Sequence, residues 1–420
     1  CVGSTRSAPL PFKFNNAGIT MPGCREIIMD AWKDAFVGNP MHILACKLEL
    51  INVRLKGWSK DTYSQLEHKV KEAESCLILF QQSNEHLDVP SQEGIKALSD
   101  LDGLLTLKDH IAHLQFNIRW LKEGNMNSRL FHCMHREKME KRNLNALQID
   151  GNLLISENDT ANGVTCYFDR IYSDNGENNT HKMINCINPC VDDMQNKWLA
   201  EVPNHSEIHA TIFSLNIDST AGPNGLTKKK IMFYWDIVHL EVISAIKEIF
   251  THASMPFGMN SKFITLIPKK YNALDIKDFM PVAIGNTIPK VVSKILTHKL
   301  VEIPKGFISP NHFGFVPGRN IQNCLYTTSK CVNIMRKKVK GGNMALQIDI
   351  SKTFDTMKWD FIFYFIKMHG FSQRFINLIC CILKSARLSI LFNGSLRGFL
   401  SVFLGGGVGR GTLYLGFSLP

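Results

Sequence analysis

The stretch ALQIDISKTFD, residues 345–355, sets an alternating apolar run against two carboxylates six residues apart. Leu346 and Ile348 alternate with Gln347, the period of a strand with one buried face. Asp349 then stands where such a strand would leave its sheet. A carboxylate held at a strand end is rigid and reachable from a cleft, which suits a magnesium ligand. Nucleotidyl transfer needs two metals about 4 Å apart, clamping the attacking and leaving oxygens. One aspartate cannot hold both, so a second carboxylate must come from elsewhere. Asp355 falls in the first turn of a following helix, points away from Asp349, and favours the helix dipole there. On spacing alone, two ordinary acids come ahead of a catalytic pair.

Outward from this stretch the chain alternates strands and helices. Toward the N-terminus lie a helix opened by PGRN over 318–338, a helix near 288–300, the strand FITLIP at 263–268, a helix ending near 252, the loop TAGPNG at 220–225 and a helix near 206–216. Toward the C-terminus a helix ends near Gly370, another spans about 372–385, and RLSILFNGS reads as strand and turn; MALQIDI itself is a strand. The alternation predicts a mixed α/β fold. Further upstream the pattern changes. Trp32, Phe36, Leu44, Leu48, Ile51 and Leu55 recur at helical spacing, Trp58 begins a second run, and Ile95 to about Trp120 a third. Asp150-Gly151 between alternating apolar residues is a hairpin signal. Residues 1–28 have no sustained period and read as a connecting segment.

At 420 residues with 45% hydrophobic composition the chain can bury substantial cores, and two or three folded units are expected. Its longest apolar runs, such as FIFYFI at 361–366, fall short of the roughly 20 residues a bilayer span needs, and no charged-then-apolar leader opens the sequence. A non-secreted protein of nucleus or cytoplasm is expected, with reduced thiols. The cysteines lack the paired spacing of a zinc module, and His181, Cys186 and Cys190, or His132, Cys133 and His135, have no second half at zinc-finger distance. The net charge of +11 is clumped at Lys228–Lys230, at Arg336, Lys337, Lys338 and Lys340, and in the mixed-sign run 136–142. Such clumps attract phosphate backbones without choosing sequence, and equally describe a solvated helix face.

Resemblance adds what spacing leaves open. IDISKTFD resembles motif A of reverse transcriptases, and its surroundings resemble, in the same order, the LINE-type (non-LTR) retrotransposons of plants. STAGPNGLTKKKIMFYWDIV is similar to an A-P-G-P-D-G block, FITLIPKK to an I-P-K block, and DIKDFMPVAIGNTIPKVVSKILTHKL to F-R-P-I-S-L-x-N…K-I-x-x-K-x-L-x-x-R-L. ISPNHFGFVPGRNIQNC resembles I-S-P-x-Q-x-x-F-V-P-G-R-x-I-x-D. WLKEGNMNSRLFHCMHREKMEKRN resembles the segment that joins the family's endonuclease to its polymerase. These five blocks span roughly residues 120–400, and PFKFNN and residues 39–60 extend the likeness more weakly to the N-terminus. The resemblance implies a helical N-terminal connector followed by right-hand polymerase fingers and an incomplete palm. The units it sets out are a linker remnant over 1–28, a mainly helical connector over 29–175 with a hairpin near 145–155, and a truncated reverse transcriptase domain over 176–420.

By the same resemblance Asp349 is a metal ligand of the palm, with Mg²⁺ as cofactor, and Phe354 is the steric gate against a ribonucleotide's 2′-hydroxyl. Lys269 touches the incoming dNTP. Arg319 lies in a loop near the template, and a local role holding loop carbonyls fits it equally. The implied partners are an RNA template and a DNA primer, whose 3′-hydroxyl attacks the α-phosphate of the dNTP; no membrane is implied.

The sequence departs from the family's pattern at three places. Met280 stands where F-R-P-I has an arginine to clamp the triphosphate, and a methionine offers no donor. Asn224 and Asn323 replace aspartates. After the turn NGSLRGFLS the family continues R-G-C/V-R-Q-G-D-P-L-S-P and then Y/F-A-D-D, the box with the remaining metal-binding aspartates, whereas this sequence reads FLGGGVGRGTLYLGFSLP with no acid after Asp360. Combining the third base of each codon with the first two of the next, from Gly405 through Leu415, the genetic code permits R-G-C-R-Q-G-D-P-L-S. A one-base frameshift just before Gly406 is therefore expected, and with it a catalytically incompetent polymerase fragment. The alternatives are a nonspecific RNA- or DNA-binding remnant and a relic without function.

Overall fold

The structure, a computed structural model, describes residues 18–19, 21, 23–83, 92–116, 144, 146–172, 188–217, 220–303, 312–313, 318–337, 339–348 and 357–401. The fold is mixed α/β. Helices α1 (Cys24–Lys33), α2 (Pro40–Ser83) and α3 (Gln92–Phe116) come first, then the hairpin β1 (Leu147–Ile149) and β2 (Asn152–Leu154), then α4 (Glu157–Tyr172). Next follow α5 (Asp193–Leu199), α6 (His205–Ser214), α7 (Lys228–Phe233) and α8 (Trp235–His252). A second sheet is built from β3 (Ser261–Pro268), β4 (Phe279–Gly285), β5 (Arg387–Phe392) and β6 (Ser395–Ser401), with α9 (Thr287–Val301), α10 (Ile321–Met335), α11 (Trp359–Met368) and α12 (Gln373–Lys384) between β4 and β5.

The N-terminal helical pattern resolves differently from its sequence reading. Pro40 opens α2 at the position where a missing N–H costs nothing, and the Asn39 side chain accepts from the His42 N–H at 2.8 Å. From there the helix runs unbroken for 44 residues, about 66 Å at 1.5 Å per residue. Trp58 therefore begins no new element. The half of α2 nearest its start buries Met41, Leu44, Leu48, Ile51 and Leu55 in the main core, while Leu66 and Val70 form a small second cluster with Leu101, Leu104 and Leu105 of α3. Spacing at three and four, sustained across both clusters, keeps one stripe inward throughout.

One apolar core runs from Ile28 and Trp32 through α8 and α9 to the sheet and Leu400. Polar contacts pin α1 and α2 onto α8. Arg25 pairs with Asp236, Lys47 with Glu241, and the Met41 N–H donates to Glu248 at 2.8 Å. Tyr234 donates its hydroxyl proton to the Ile19 carbonyl at 2.9 Å. Lys47 also reaches the Trp32 carbonyl at 2.9 Å and lies 5.0 Å from that indole's centre.

In the four-stranded sheet the order is β4-β3-β5-β6, with β3 antiparallel to β4 and parallel to β5, and β5 antiparallel to β6. The β1–β2 turn places Asp150 at φ 49° and Gly151 at φ 86°, the two-residue turn whose twist suits a hairpin. That hairpin reaches the larger sheet's loops through the Gln148 N–H, which donates to the Leu274 carbonyl at 2.7 Å. Gly163 lets α4 lie against it: a Cβ there would stand 2.6 Å from Leu154 Cδ1.

Over residues 344–348 the strand expected for MALQIDI does not form. Among the described residues no strand pairs with this segment, and Met344, Leu346 and Ile348 are 89%, 77% and 75% exposed. Alternation states which side chains a partner strand would bury; it supplies no partner, and β3 already has both neighbours. α10, which precedes the segment, likewise buries none of its residues. Among the described residues no helix is long and apolar enough to cross a membrane.

Candidate functional site

The end of the β3–β4 pair is where the structure brings sequence-singled residues together. Ile267 lies opposite Met280 and Pro268 opposite Phe279, and the Lys269 N–H donates to the Asp278 carbonyl at 2.8 Å, which prolongs the ladder by one bond. Side chains alternate along a strand, so Lys269 stands on the face of Ile267 and, diagonally across the pair, of Met280. The two positions that the resemblance assigns to the triphosphate thus share one face of one hairpin. Lys269 is exposed, and its ammonium donates to the Lys277 carbonyl at 2.8 Å. A bond to a neutral acceptor at an exposed site holds it by only about 1 kcal/mol, so an anionic oxygen competes readily. Lys270 pairs with Asp278 at 2.9 Å and stiffens the same loop.

Arg319 follows Gly318, whose φ of 76° makes the turn into α10, and Asn320 caps that helix by accepting from the Gln322 N–H at 2.9 Å. The guanidinium donates to the His312 carbonyl at 2.5 Å. A guanidinium has five donors, so this local bond is compatible with both the loop and the template role. Asn323, in the first turn of α10, is exposed.

Asp349, Phe354 and Asp355 lie outside the described residues. Among the described residues no group of three or more His, Cys, Asp or Glu side chains could hold a metal ion. The described cysteines are free thiols.

The loop 220–225 gains a place that its sequence did not disclose. Asn224 donates its N–H to the Asn286 side chain at 3.0 Å, accepts from the Leu226 N–H at 3.2 Å, and offers its carbonyl to Asn52 of α2 at 2.5 Å. Asn286 in turn donates to the Met259 carbonyl at 2.7 Å, and Thr287 to the Leu226 carbonyl at 2.9 Å. One residue therefore ties α2, the loop and the start of α9. The Asn224 side-chain amide is buried with no acceptor. A carboxylate at 224 would present an acceptor there instead.

The basic clump at Lys228–Lys230 is corrected by the fold. Lys228 and Lys230 are 2% and 3% exposed, because α7 turns their stems inward. The Lys228 ammonium reaches the Phe213 carbonyl at 3.1 Å, closing the C-terminal end of α6, and Lys230 lies 3.5 Å from the Gly225 carbonyl. Burial pulls Lys230 down to about 8 and Lys228 below the ordinary lysine range. Arg336, Lys337 and Lys340, after α10, are exposed. The run 136–142 lies outside the described residues.

Residues 267–403 match the family described as reverse transcriptase (RNA-dependent DNA polymerase). The chain carries a reverse transcriptase domain. The match begins at the last residues of β3 and takes in the whole of β4, β5 and β6. Over 195 residues the chain is also 26% identical to the transposon TX1 uncharacterized 149 kDa protein of Xenopus laevis. That stretch is 46% of this chain and 15% of the relative. Within the domain Lys269, Met280, Arg319 and Asn323 are the described residues of interest.

Proposed function

We propose that this chain is the fingers and part of the palm of an RNA-directed DNA polymerase from a plant LINE-type (non-LTR) retrotransposon. Its partners are an RNA template, a DNA primer and deoxynucleoside triphosphates, in nucleus or cytoplasm. The observation that carries this is the reverse transcriptase match over residues 267–403. The likeness to a transposon protein supports the retroelement half of the reading. Lys269 contacts the triphosphate, Phe354 rejects a ribose 2′-hydroxyl, and Arg319 lies near the template. Asp349 is this chain's ligand for the Mg²⁺ such polymerases use, which when bound neutralises charge on the transferred phosphoryl group.

The chain does not extend a primer by itself. Met280 removes a bidentate donor from the triphosphate face, and the residues from Gly406 read as an out-of-frame form of the family's glycine-rich loop. Primer extension by the purified chain with Mg²⁺ and dNTPs tests this: extension abolished by Asp349→Ala would refute it. Genomic sequence behind residues 405–415 tests the frame, which must encode a sequence close to RGCRQGDPLS.

The exposed cations after α10 favour a second activity, nonspecific nucleic-acid binding. Its signature is steep loss of affinity for a single-stranded oligonucleotide between low and physiological salt. A flat response excludes it.

A further inference from the structure

Buried lysines recur in this fold, and most of them are answered by an acceptor. Lys47 has Glu241 and the Trp32 carbonyl, Lys228 the Phe213 carbonyl, and Lys299 the Trp198 and Glu201 carbonyls at 3.2 and 2.6 Å. Lys294, at the surface, has the Ser214 carbonyl at 3.1 Å. Lys262 of β3 is 2% exposed and has no such acceptor among the described residues. Lys290, in the first turn of α9 and half-buried, has none either. An ammonium taken out of water without an acceptor is among the costliest arrangements a core can hold.

The two cations meet at the start of one helix. Lys262 lies opposite Gly285, the last residue of β4, and its stem crosses that glycine: a Cβ there would stand 3.1 Å from Lys262 Cγ and 3.6 Å from Cε. A side chain at 285 would press on the stem and shift it by a few tenths of an ångström. Asn286 follows as the N-cap of α9, but its side chain makes no capping bond, being committed to the Asn224 N–H and the Met259 carbonyl. The first N–H groups of a 15-residue helix therefore have no side-chain acceptor from their cap, and the helix dipole adds its positive end to the two lysines. Lys262 is lowered to about 7, first by burial and then by the Lys290 charge, and neither lysine has an ion pair with an acid among the described residues.

We propose that Lys262, Lys290 and the N-terminus of α9 form an anion site that takes a phosphoryl group, from a nucleic-acid backbone or from a nucleotide. Helix N–H groups left unbonded by their cap, here those of Thr287 and Ile288 since Pro289 has none, together with cations are the chemistry that holds phosphate elsewhere. The site is distinct from the Lys269 face at the other end of β3, since Lys262 and Lys269 stand at opposite ends of the strand. It requires no catalysis, so it stands or falls apart from the polymerase reading.

The test is the unfolding midpoint of the full chain in inorganic phosphate against chloride at equal ionic strength. Phosphate should raise the wild-type midpoint in a saturable way. Lys262→Met, which keeps the stem and removes the charge, should fold at least as well in chloride and weaken the apparent phosphate affinity by about tenfold or more. Lys290→Gln should do the same from the helix side, and it decides the matter should the β3 variant fold poorly. Competition then names the source: displacement of phosphate by a dT oligonucleotide identifies a strand phosphate, and displacement by dTTP a nucleotide. No phosphate effect on the wild type, or an equal effect on both variants, overturns the proposal.

Discussion

Replacing Gly222 by alanine would place a Cβ 2.5 Å from three atoms at once: the Asn286 N, the Asn286 Oδ1 and the Gly285 carbonyl carbon. Two of these are backbone at the β4–α9 junction, so no side-chain rotation relieves the contact. The loop must move away, and Asn286 then loses the Asn224 N–H it accepts at 3.0 Å. Overpacking of this kind costs about 1–3 kcal/mol, and loss of the buried hydrogen bond adds about 1 kcal/mol. Gly57 is the matched control. It sits on the exposed face of α2, an added Cβ meets nothing within 4 Å, and alanine there should stabilise by about 0.5–1 kcal/mol through helix propensity alone. Urea unfolding followed by far-ultraviolet circular dichroism reads both. Gly222→Ala must lower the midpoint and Gly57→Ala raise it, with the slope unchanged. A Gly222→Ala midpoint at or above wild type would refute the close approach of loop 220–225 to Asn286.

Lys47→Ala should cost about 2–3 kcal/mol, since Glu241 and the Trp32 carbonyl both lose their donor, and Glu241→Gln should cost less; urea midpoints of the two variants check the order. In phosphate-free buffer stability should rise from pH 7 to pH 9. Lys262 and Lys230 are lowered to about 7 and about 8, so across that window the unfolded chain binds protons the folded one has released. Lys262→Met should flatten part of that slope, and an unchanged slope would contradict the burial. Met280→Arg should restore a donor to the Lys269 face and tighten binding of a fluorescent dNTP by about tenfold, a gain that Lys269→Ala removes.

Much of the fold is legible in the sequence where local chemistry closes a structure on itself. Asp150-Gly151 specifies its turn through two positive φ values, and FITLIP becomes β3 because β-branched and aromatic residues alternate between sheet faces. The helices ending at His252 and beginning at Thr287 follow from periodicity. What local pattern does not carry is partnership. FMPVAIG does not read as a strand because Met280 and Pro281 interrupt its alternation, yet pairing with β3 along its whole length makes it β4. MALQIDI shows the converse, since good alternation over 344–348 finds no neighbour among the described residues. The site divides in the same way. The shared face of Lys269 and Met280 needs the register of β3 with β4, which no single-strand pattern states.

Charge makes the point sharpest, because a formal count treats every lysine alike. The sequence offers Lys228–Lys230 as a phosphate-attracting clump, whereas by charge alone neither Lys262 nor Lys290 is marked, since the residues on either side of each are uncharged. The fold reverses that order. Two of the clumped lysines are spent on backbone carbonyls inside the protein, Lys228 at the end of α6 and Lys230 under the 220–225 loop. The two solitary ones lie at a helix start whose cap side chain makes no capping bond, and neither has an acid partner among the described residues. A cation attracts a phosphate strongly when its own fold has left it unanswered and drawn it out of water, where the interaction is least screened. The lysines that matter for phosphate are therefore those left without partners among the described residues, and only the register of β3 with β4, which sets Lys262 opposite Gly285 at the start of α9, reveals which these are.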